Sequence, residues 1–308
     1  MKILTLTLNP AFDVHCAADD FELYRENLFS VTSRDAGGKG VNISRALNEY
    51  GVPNVAVMLV GEENGTDFLR MLEREGMESC AITVSGRIRE NITLHVKDHP
   101  ETRVSFKGFA VDGAAVTEVM KTVSELADGD TVLTVTGSLP SGMSAAELLP
   151  SLAALKTNGV RIVIDSRSFS TDDIAALHPW LIKPNEEEIS LYCNGKIDTP
   201  LDAVNAAASL RAISDNVIIS LGGRGAALAT DGGEYFASAP SVEVLSTVGA
   251  GDSMIAGFIA AANLGLPADR SLALAVAFGS AACTTSGTQA PPRALVEKLS
   301  SEIQCKKI

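Results

Sequence analysis

Four short clusters in this 308-residue chain carry residue types that could do chemistry. Ser246-Thr247-Val248-Gly249-Ala250-Gly251-Asp252 runs into a stretch of small residues, Ser253–Ala262. Small residues at a helix start leave backbone N–H groups open, and the macrodipole adds about half a positive charge there. Such a place suits charge developing on a transferring phosphoryl group. Asp252, in the first turn, could accept a hydroxyl proton beside that anion site. As a plain helix cap it would contribute ~1 kcal/mol and no chemistry. The cluster Ala36-Gly37-Gly38-Lys39-Gly40-Val41-Asn42 also precedes a helix, and its glycines would let the backbone approach an anion; the plain alternative is a glycine turn with a solvated lysine. In Lys183-Pro184-Asn185-Glu186-Glu187-Glu188, Asn185 and Glu188 stand three apart. That spacing fits either an N-cap box or an outer-shell anchor for Mg2+. Ser220-Leu221-Gly222-Gly223-Arg224-Gly225-Ala226 reads as a strand ending in a glycine turn, compatible with a nucleotide site.

Patterns for other chemistries are missing from the sequence. It contains no GxxxxGK[ST] loop, no GxGxxG and no GxSxG nucleophile elbow. The four histidines (His15, His95, His99, His178) show no metal-ligand spacing.

The elements that must position these clusters follow from hydrophobic periodicity. Lys2–Leu8, Asn54–Val60, Thr131–Thr136, Val160–Ile164 and Val217–Leu221 are almost continuously apolar or β-branched, as strands buried on both faces of a parallel sheet should be. Between them the spacing predicts helices over Val41–Tyr50, Asp67–Glu75, Ala114–Ala127, Ala145–Thr157 and Leu201–Ala212, then Asp252–Ala262, Ser271–Thr285 and Pro292–Ile303. The alternation predicts an α/β fold, an open and mostly parallel sheet with helices on both faces. Two segments break the rhythm, about 12–35 and 87–109; they are polar and alternate at period two, as in Asn91-Ile92-Thr93-Leu94-His95-Val96. They are expected to form a small antiparallel β lid outside the main sheet. No linker or repeat divides the chain, so residues 1–308 read as a single domain with the lid inside it.

Composition narrows the partners. With 25 Lys+Arg against 38 Asp+Glu, the formal charge is −13, the wrong sign for a nucleic-acid or anionic-membrane binder. An anionic ligand would need the few cations gathered locally. The cysteines (Cys16, Cys80, Cys193, Cys283, Cys305) are odd in number and widely spaced, which reads as reduced thiols of a cytoplasmic protein. The start, MKILTLTLNPAFD, lacks the pattern of a signal peptide, and the most apolar stretch is too short for a membrane span.

Taken in order, the four clusters resemble the ribokinase/PfkB family of ATP-dependent sugar kinases over essentially the whole chain. The first family signature is matched by Gly37-Gly38-Lys39-Gly40-Val41-Asn42 with Ser44, Gly51 and Gly61, the second by Ser246–Asp252 with Ala256-Gly257-Phe258. The resemblance implies a ribokinase-like fold, ATP and Mg2+. It implies that Asp252 is the catalytic base and that the amides of Gly249, Ala250 and Gly251 form the anion hole. Asn185 and Glu188 match an element that places Mg2+ and phosphate through water, which makes Glu188 an outer-shell metal residue. Ser220, Gly222 and Gly225 match the turn beside the ATP phosphates, and Ser280 falls where the family encloses adenine. Asp13 matches the sugar-hydroxyl ligand, with Gly38 and Asn42 beside it.

Asn9-Pro10-Ala11-Phe12-Asp13, Gly38-Lys39-Gly40 and Arg89-Glu90-Asn91 are similar to the phosphosugar branch of the family. Lys39 and the lid cations Arg87, Arg89, Arg103 and Lys107 could hold the second phosphate, arginine forks being suited to it. The resemblance thus implies a phosphosugar acceptor, with fructose 1-phosphate at its 6-hydroxyl expected ahead of tagatose 6-phosphate or fructose 6-phosphate, and a homodimer. Two rival readings are a non-catalytic phosphosugar or nucleotide sensor, which retention of Asp252 disfavours, and a nicotinamide oxidoreductase, which Asn9-Pro10 after the first strand disfavours.

Overall fold

The computed structural model describes residues 1–192 and 197–308; Cys193 lies outside the described residues. In chain order, β1 (Lys2–Thr7) continues into β2 (Ala11–Ala18), followed by β3 (Ser30–Gly37) and α1 (Lys39–Tyr50). Next come β4 (Val55–Gly61), α2 (Gly65–Arg74), β5 (Ser79–Val84), β6 (Arg89–Val96) and β7 (Thr102–Ser105). Then α3 (Gly113–Leu126), β8 (Thr131–Thr136), α4 (Ala145–Thr157), β9 (Arg161–Asp165), α5 (Thr171–Leu177) and β10 (Leu181–Ile182) lead to a 3-10 turn, Glu188–Leu191. The last part holds α6 (Pro200–Leu210), β11 (Asn216–Ser220), β12 (Ala226–Thr230), β13 (Gly233–Ala237), α7 (Ala250–Asn263), α8 (Ala268–Ala282), α9 (Arg293–Glu302) and β14 (Cys305–Lys307).

The large sheet has the strand order β14-β13-β12-β11-β10-β9-β8-β1-β4-β5. From β11 to β5 neighbouring strands run parallel, while β12, β13 and β14 are added antiparallel at the far edge. Burial on both faces follows from the apolar runs. On one side Ile43, Leu47, Ile255, Ile259, Leu272 and Phe278 of α1, α7 and α8 form a core with Ile3 and Val132; on the other Phe68, Val119, Leu148, Ile174 and Val204 of α2 to α6 pack with Leu4, Leu6 and Met58. Among the described residues no helix is long and apolar enough to cross a membrane.

The segments expected to leave the main sheet build a second sheet, in the order β3-β2-β6-β7. The sequence reading has this sheet as a small antiparallel lid. The outer pairs β2–β3 and β6–β7 are antiparallel, but the central pair β2–β6 is parallel, with Asp13 opposite Asn91. The cause is connectivity: β1 and β5 point the same way in the main sheet, and each runs through a few residues into β2 or β6 without reversing.

Helix starts differ by position. Ser170 with Asp173 and Thr199 with Asp202 form capping boxes that satisfy the first N–H groups of α5 and α6. By contrast, α1 and α7 begin at Gly38 and Gly249 with no side-chain cap. Gly249 adopts φ 79°, a left-handed conformation that glycine enters without penalty. Both of these glycine starts face the ends of the central strands, at Thr7, Thr136 and Asp165.

Candidate active site

Two clefts meet above those strand ends. Asp13, Gly38, Lys39, Asn42, Arg89, Asn91, Arg103, Gly249, Gly251 and Asp252 line a cleft of ≈ 510 Å3, together with Asn185 and Glu188. Asn185, Ser220, Gly222, Gly225, Ala250, Gly251 and Ser280 line a larger one of ≈ 750 Å3. Lys183, Asn185, Thr247 and Gly251 belong to both walls, so the start of α7 is the partition. Arg87 and Lys107 line neither: Arg87 stands 4.0 Å from Glu63, and the Lys107 carbonyl accepts from Asn9 Nδ2 at 3.3 Å.

Asp252 is buried at this junction. Its Oδ2 accepts a 2.8 Å hydrogen bond from Asn42 Nδ2, and no cation forms an ion pair with it among the described residues. Burial pushes its pKa up to about 6; Lys39, Asn42 and Lys183 pull it down, and Asp165 adds to the rise. Asp165, at the end of β9, has the opposite fate. Burial also works against its charge, but Lys183 and Lys39 outweigh it and hold the carboxyl below its ordinary value; Lys39 Nζ lies 2.9 Å from Asp165 Oδ2. For Lys39 burial works downward, yet Asp165 and Asp252 push its pKa up to about 12. Two neighbouring carboxyls thus separate, one fixed in an ion pair and one poised to exchange a proton near neutral pH. That division is how acid–base sites assign roles.

The start of α7 supplies donors beside this carboxyl. Among the described residues the N–H groups of Gly249, Gly251 and Asp252 have no acceptor, whereas Ala250 N–H leans 3.4 Å toward Thr247 O. Lys183 is buried, its ammonium makes no hydrogen bond or ion pair with the described residues, and its Nζ would lie 3.1 Å from a β-carbon at Gly251. An ammonium and open amides at one point form a site for an anion.

The small sheet contributes the roof of the smaller cleft. Asp13 is buried, and its Oδ1 accepts from Asn91 Nδ2 at 2.9 Å and Arg103 Nη2 at 3.2 Å. Its Oδ2 sits where a β-carbon on Gly37 would be 2.0 Å away, so any side chain at 37 must displace this carboxylate. Arg89 spends donors on two backbone carbonyls and a hydroxyl: Nη1 on Phe106 O (3.1 Å), Nη2 on Asn9 O (3.2 Å) and Ser138 Oγ (3.4 Å). Its Nε, with Asn9 Oδ1 and Asn91 Oδ1, is buried without a partner among the described residues. A ligand rich in hydroxyls and carrying an anionic group suits this lining.

Asn185 and Glu188 engage each other at the 3-10 turn. Glu188 N–H donates to Asn185 Oδ1 (2.8 Å), and Asn185 N–H to Glu188 Oε2 (3.2 Å), while Arg167 Nε donates to Glu188 Oε1 (2.9 Å). This is the reciprocal cap, and it also presents both residues to the smaller cleft. The described residues hold no cluster of three or more His, Cys, Asp or Glu able to cage a metal. A hard cation would therefore have to come largely on its ligand's own oxygens and waters, as Mg2+ does on phosphates. Glu188 and Asn185 fit that as outer contacts, since each carboxylate oxygen keeps a lone pair.

Sequence reasoning assigned no role to Asp165 or Lys183. Each is a single charged residue at the end of an apolar run, which was the available signal.

The sequence pattern of the pfkB family carbohydrate kinases matches residues 11–295. The chain is 34% identical over 287 residues to a protein named 1-phosphofructokinase from Escherichia coli (strain K12), covering 92% of each. It is 30% identical over 307 residues to one of the same name from Vibrio cholerae, covering 98% of this chain and 96% of that one. Among solved structures, phosphofructokinase-2 from Escherichia coli in complex with fructose-6-phosphate aligns with a TM-score of 0.88 at 25% identity, covering 98% of each chain.

Proposed function

The chain belongs to the pfkB family of carbohydrate kinases, and we propose that within it the protein transfers the γ-phosphoryl group of ATP to the 6-hydroxyl of fructose 1-phosphate, giving fructose 1,6-bisphosphate. The observation that carries the reading is the buried, unpaired Asp252 carboxyl beside open helix amides, where the two clefts meet. The acceptor follows from the relatives' shared name and coverage.

In this mechanism the phosphosugar lies in the smaller cleft and ATP in the larger, along Ser220, Gly222, Gly225 and Ser280. Asp13, Gly38, Asn42 and Asn91 hold sugar hydroxyls, and Lys39, Arg89 and Arg103 supply positive charge for its phosphate. Asp252 takes the proton from the attacking hydroxyl. Amides of Gly249, Ala250 and Gly251, with the Lys183 ammonium, hold the charge of the phosphoryl group in flight. Glu188 and Asn185 would hold Mg2+ through water, and the ion would supply positive charge to the phosphates. The small sheet acts as a lid that keeps water from the transfer, and residues 1–308 work as one kinase unit. A homodimer through the lids is supported by Leu23, Tyr24, Leu28, Val31 and Phe106, large apolar side chains exposed on or beside that sheet; sedimentation velocity reads it directly.

The test is ADP release with Mg·ATP against fructose 1-phosphate, fructose 6-phosphate, tagatose 6-phosphate, fructose and ribose, with Asp252→Asn alongside. A kcat/KM lead for fructose 1-phosphate is expected, with the variant's kcat at least ~10²-fold lower. The likeness to phosphofructokinase-2 favours fructose 6-phosphate as the second reading, and a lead for that sugar would replace the first. Binding without ADP formation would leave a sensor.

A further inference from the structure

Behind the Asp252–Asn42 contact lies Arg45, one helical turn along α1 and outside both clefts. We propose that Arg45 is a positioning residue for the phosphoryl transfer: its guanidinium orients the Asn42 amide so that the N–H faces one Asp252 oxygen and leaves the other for the acceptor hydroxyl. The inference rests on the reading of Asp252 as the base.

The geometry leaves the amide one orientation. Asn42 Nδ2 donates to Asp252 Oδ2 at 2.8 Å, and Asn42 Oδ1 accepts from Arg45 Nη1 at 3.1 Å. Turning the amide over would set its oxygen against the carboxylate and its NH2 against the guanidinium, two repulsive contacts in place of two hydrogen bonds. Arg45 itself cannot shift to accommodate that. It is buried, and its five N–H donors have five acceptors: Glu75 Oε2 at 2.5 Å for Nε, Asn42 Oδ1 and Thr288 O (3.3 Å) for Nη1, Ala36 O at 2.5 Å and Glu75 Oε1 at 3.3 Å for Nη2. The fork therefore ties the base to β3 through Ala36, to the end of α2 through Glu75 and to the loop after α8 through Thr288. A surface-facing structural arginine would not need a planar fork saturated in this way.

Asp252 is also faced by Lys39 from α1, Asp165 from the end of β9 and Lys183 from the segment after β10. None of these hydrogen-bonds to Arg45, whose hydrogen-bonded path to the base runs through Asn42. Loss of the oriented donor makes the ionised carboxyl harder to form, and the acidic limb of the rate profile must move to higher pH.

The experiment measures kcat/KM for the acceptor from pH 5 to 9 in wild type, Arg45→Met, Arg45→Lys, Asn42→Ala and the Arg45→Met/Asn42→Ala pair, with Asp252→Asn as control. Arg45→Met and Asn42→Ala should each raise the acidic limb by about half a pH unit or more, and the pair should move no further than Asn42→Ala alone. Lysine, a point charge without the fork, should restore little of the shift. KM for ATP should stay within about twofold, since Arg45 lines neither cleft. A limb that stays put in a folded Arg45→Met protein, or shifts that add in the pair, overturns the proposal. Should Arg45→Met not fold, Glu75→Gln unseats the fork from its half-buried outer side; it must move the limb in the same direction, and an unmoved limb is equally fatal. Full turnover in Asp252→Asn would instead remove the base itself, an outcome distinct from an unmoved limb beside a dead Asp252→Asn.

Discussion

Asp252→Asn should make the protein more stable while it destroys turnover, and only above a definable pH. The Asp252 pKa stands at about 6 in the folded chain against 3.8 for an unperturbed aspartate. Its protonated form is the one the fold prefers, so that preference is fully present below pH 3.8 and is lost as pH rises through 6. Above that range, keeping the carboxylate ionised in its buried site costs about 3 kcal/mol at 1.36 kcal/mol per pH unit. Asparagine matches the neutral form in shape and never ionises. For a chain of this size, a gain of about 3 kcal/mol is a rise in Tm of about 5 °C. Thermal melts of wild type and Asp252→Asn at pH 4 and pH 8 test this, because other titrating groups are common to both proteins and cancel in the difference. The Tm difference should be near zero at pH 4 and several degrees in favour of the variant at pH 8. Equal differences at the two pH values, or a less stable variant at pH 8, would refute the claim that burial of this carboxyl sets its pKa.

Lys183→Met should lower kcat by ~10²-fold, the loss expected for one donor to transition-state charge, with KM for the phosphosugar little changed; a mere rise in KM for ATP would make it a ground-state contact. Gly37→Ala drives a methyl into Asp13 Oδ2, and kcat/KM for the phosphosugar should fall ~10²-fold through misplacement of that carboxylate. Unaltered kinetics in a folded Gly37→Ala protein would mean that Asp13 does not hold the sugar.

The central strands were legible because both faces of a parallel sheet are covered, so Thr131–Thr136 and Val217–Leu221 had to be almost wholly apolar or β-branched. Period-two alternation from Asn91 was legible for the opposite reason: Asn91 and Thr93 are buried while His95 and their other neighbours are less so. The antiparallel edge was not read. Ala226–Thr230 is alanine-rich and carries little β preference of its own; pairing with β11 on one side and β13 on the other makes it a strand. The short α5 passed unread although Ser170 and Asp173 spell its capping box, because seven residues give periodicity too little room. At the site, residues inside glycine clusters announced themselves by spacing. Asp165 and Lys183 did not, since only the parallel pairing of β9 with β10 brings the ends of those runs together. Nor could spacing link Glu75 to Asn42, residues joined solely through the guanidinium between them.

The parallel run of β2 beside β6 makes the small sheet a lever with two unlike joints. One joint is Leu8-Asn9-Pro10, where proline fixes φ; the other, residues 85–88, contains Gly86 at φ 94°. Both joints lie at the same end of the sheet, so a tilt would turn it about the line through them. Asp13 and Asn91 sit three residues along their strands, about 10 Å from the pivot, while the rim at Ala18 and Val96 is about 26 Å out. A tilt of about 10° then moves the sugar-facing row by about 2 Å and the rim by about 4–5 Å. Force applied at the rim, where Leu23, Tyr24, Leu28 and Val31 are exposed, would arrive at the sugar with a mechanical advantage of more than two.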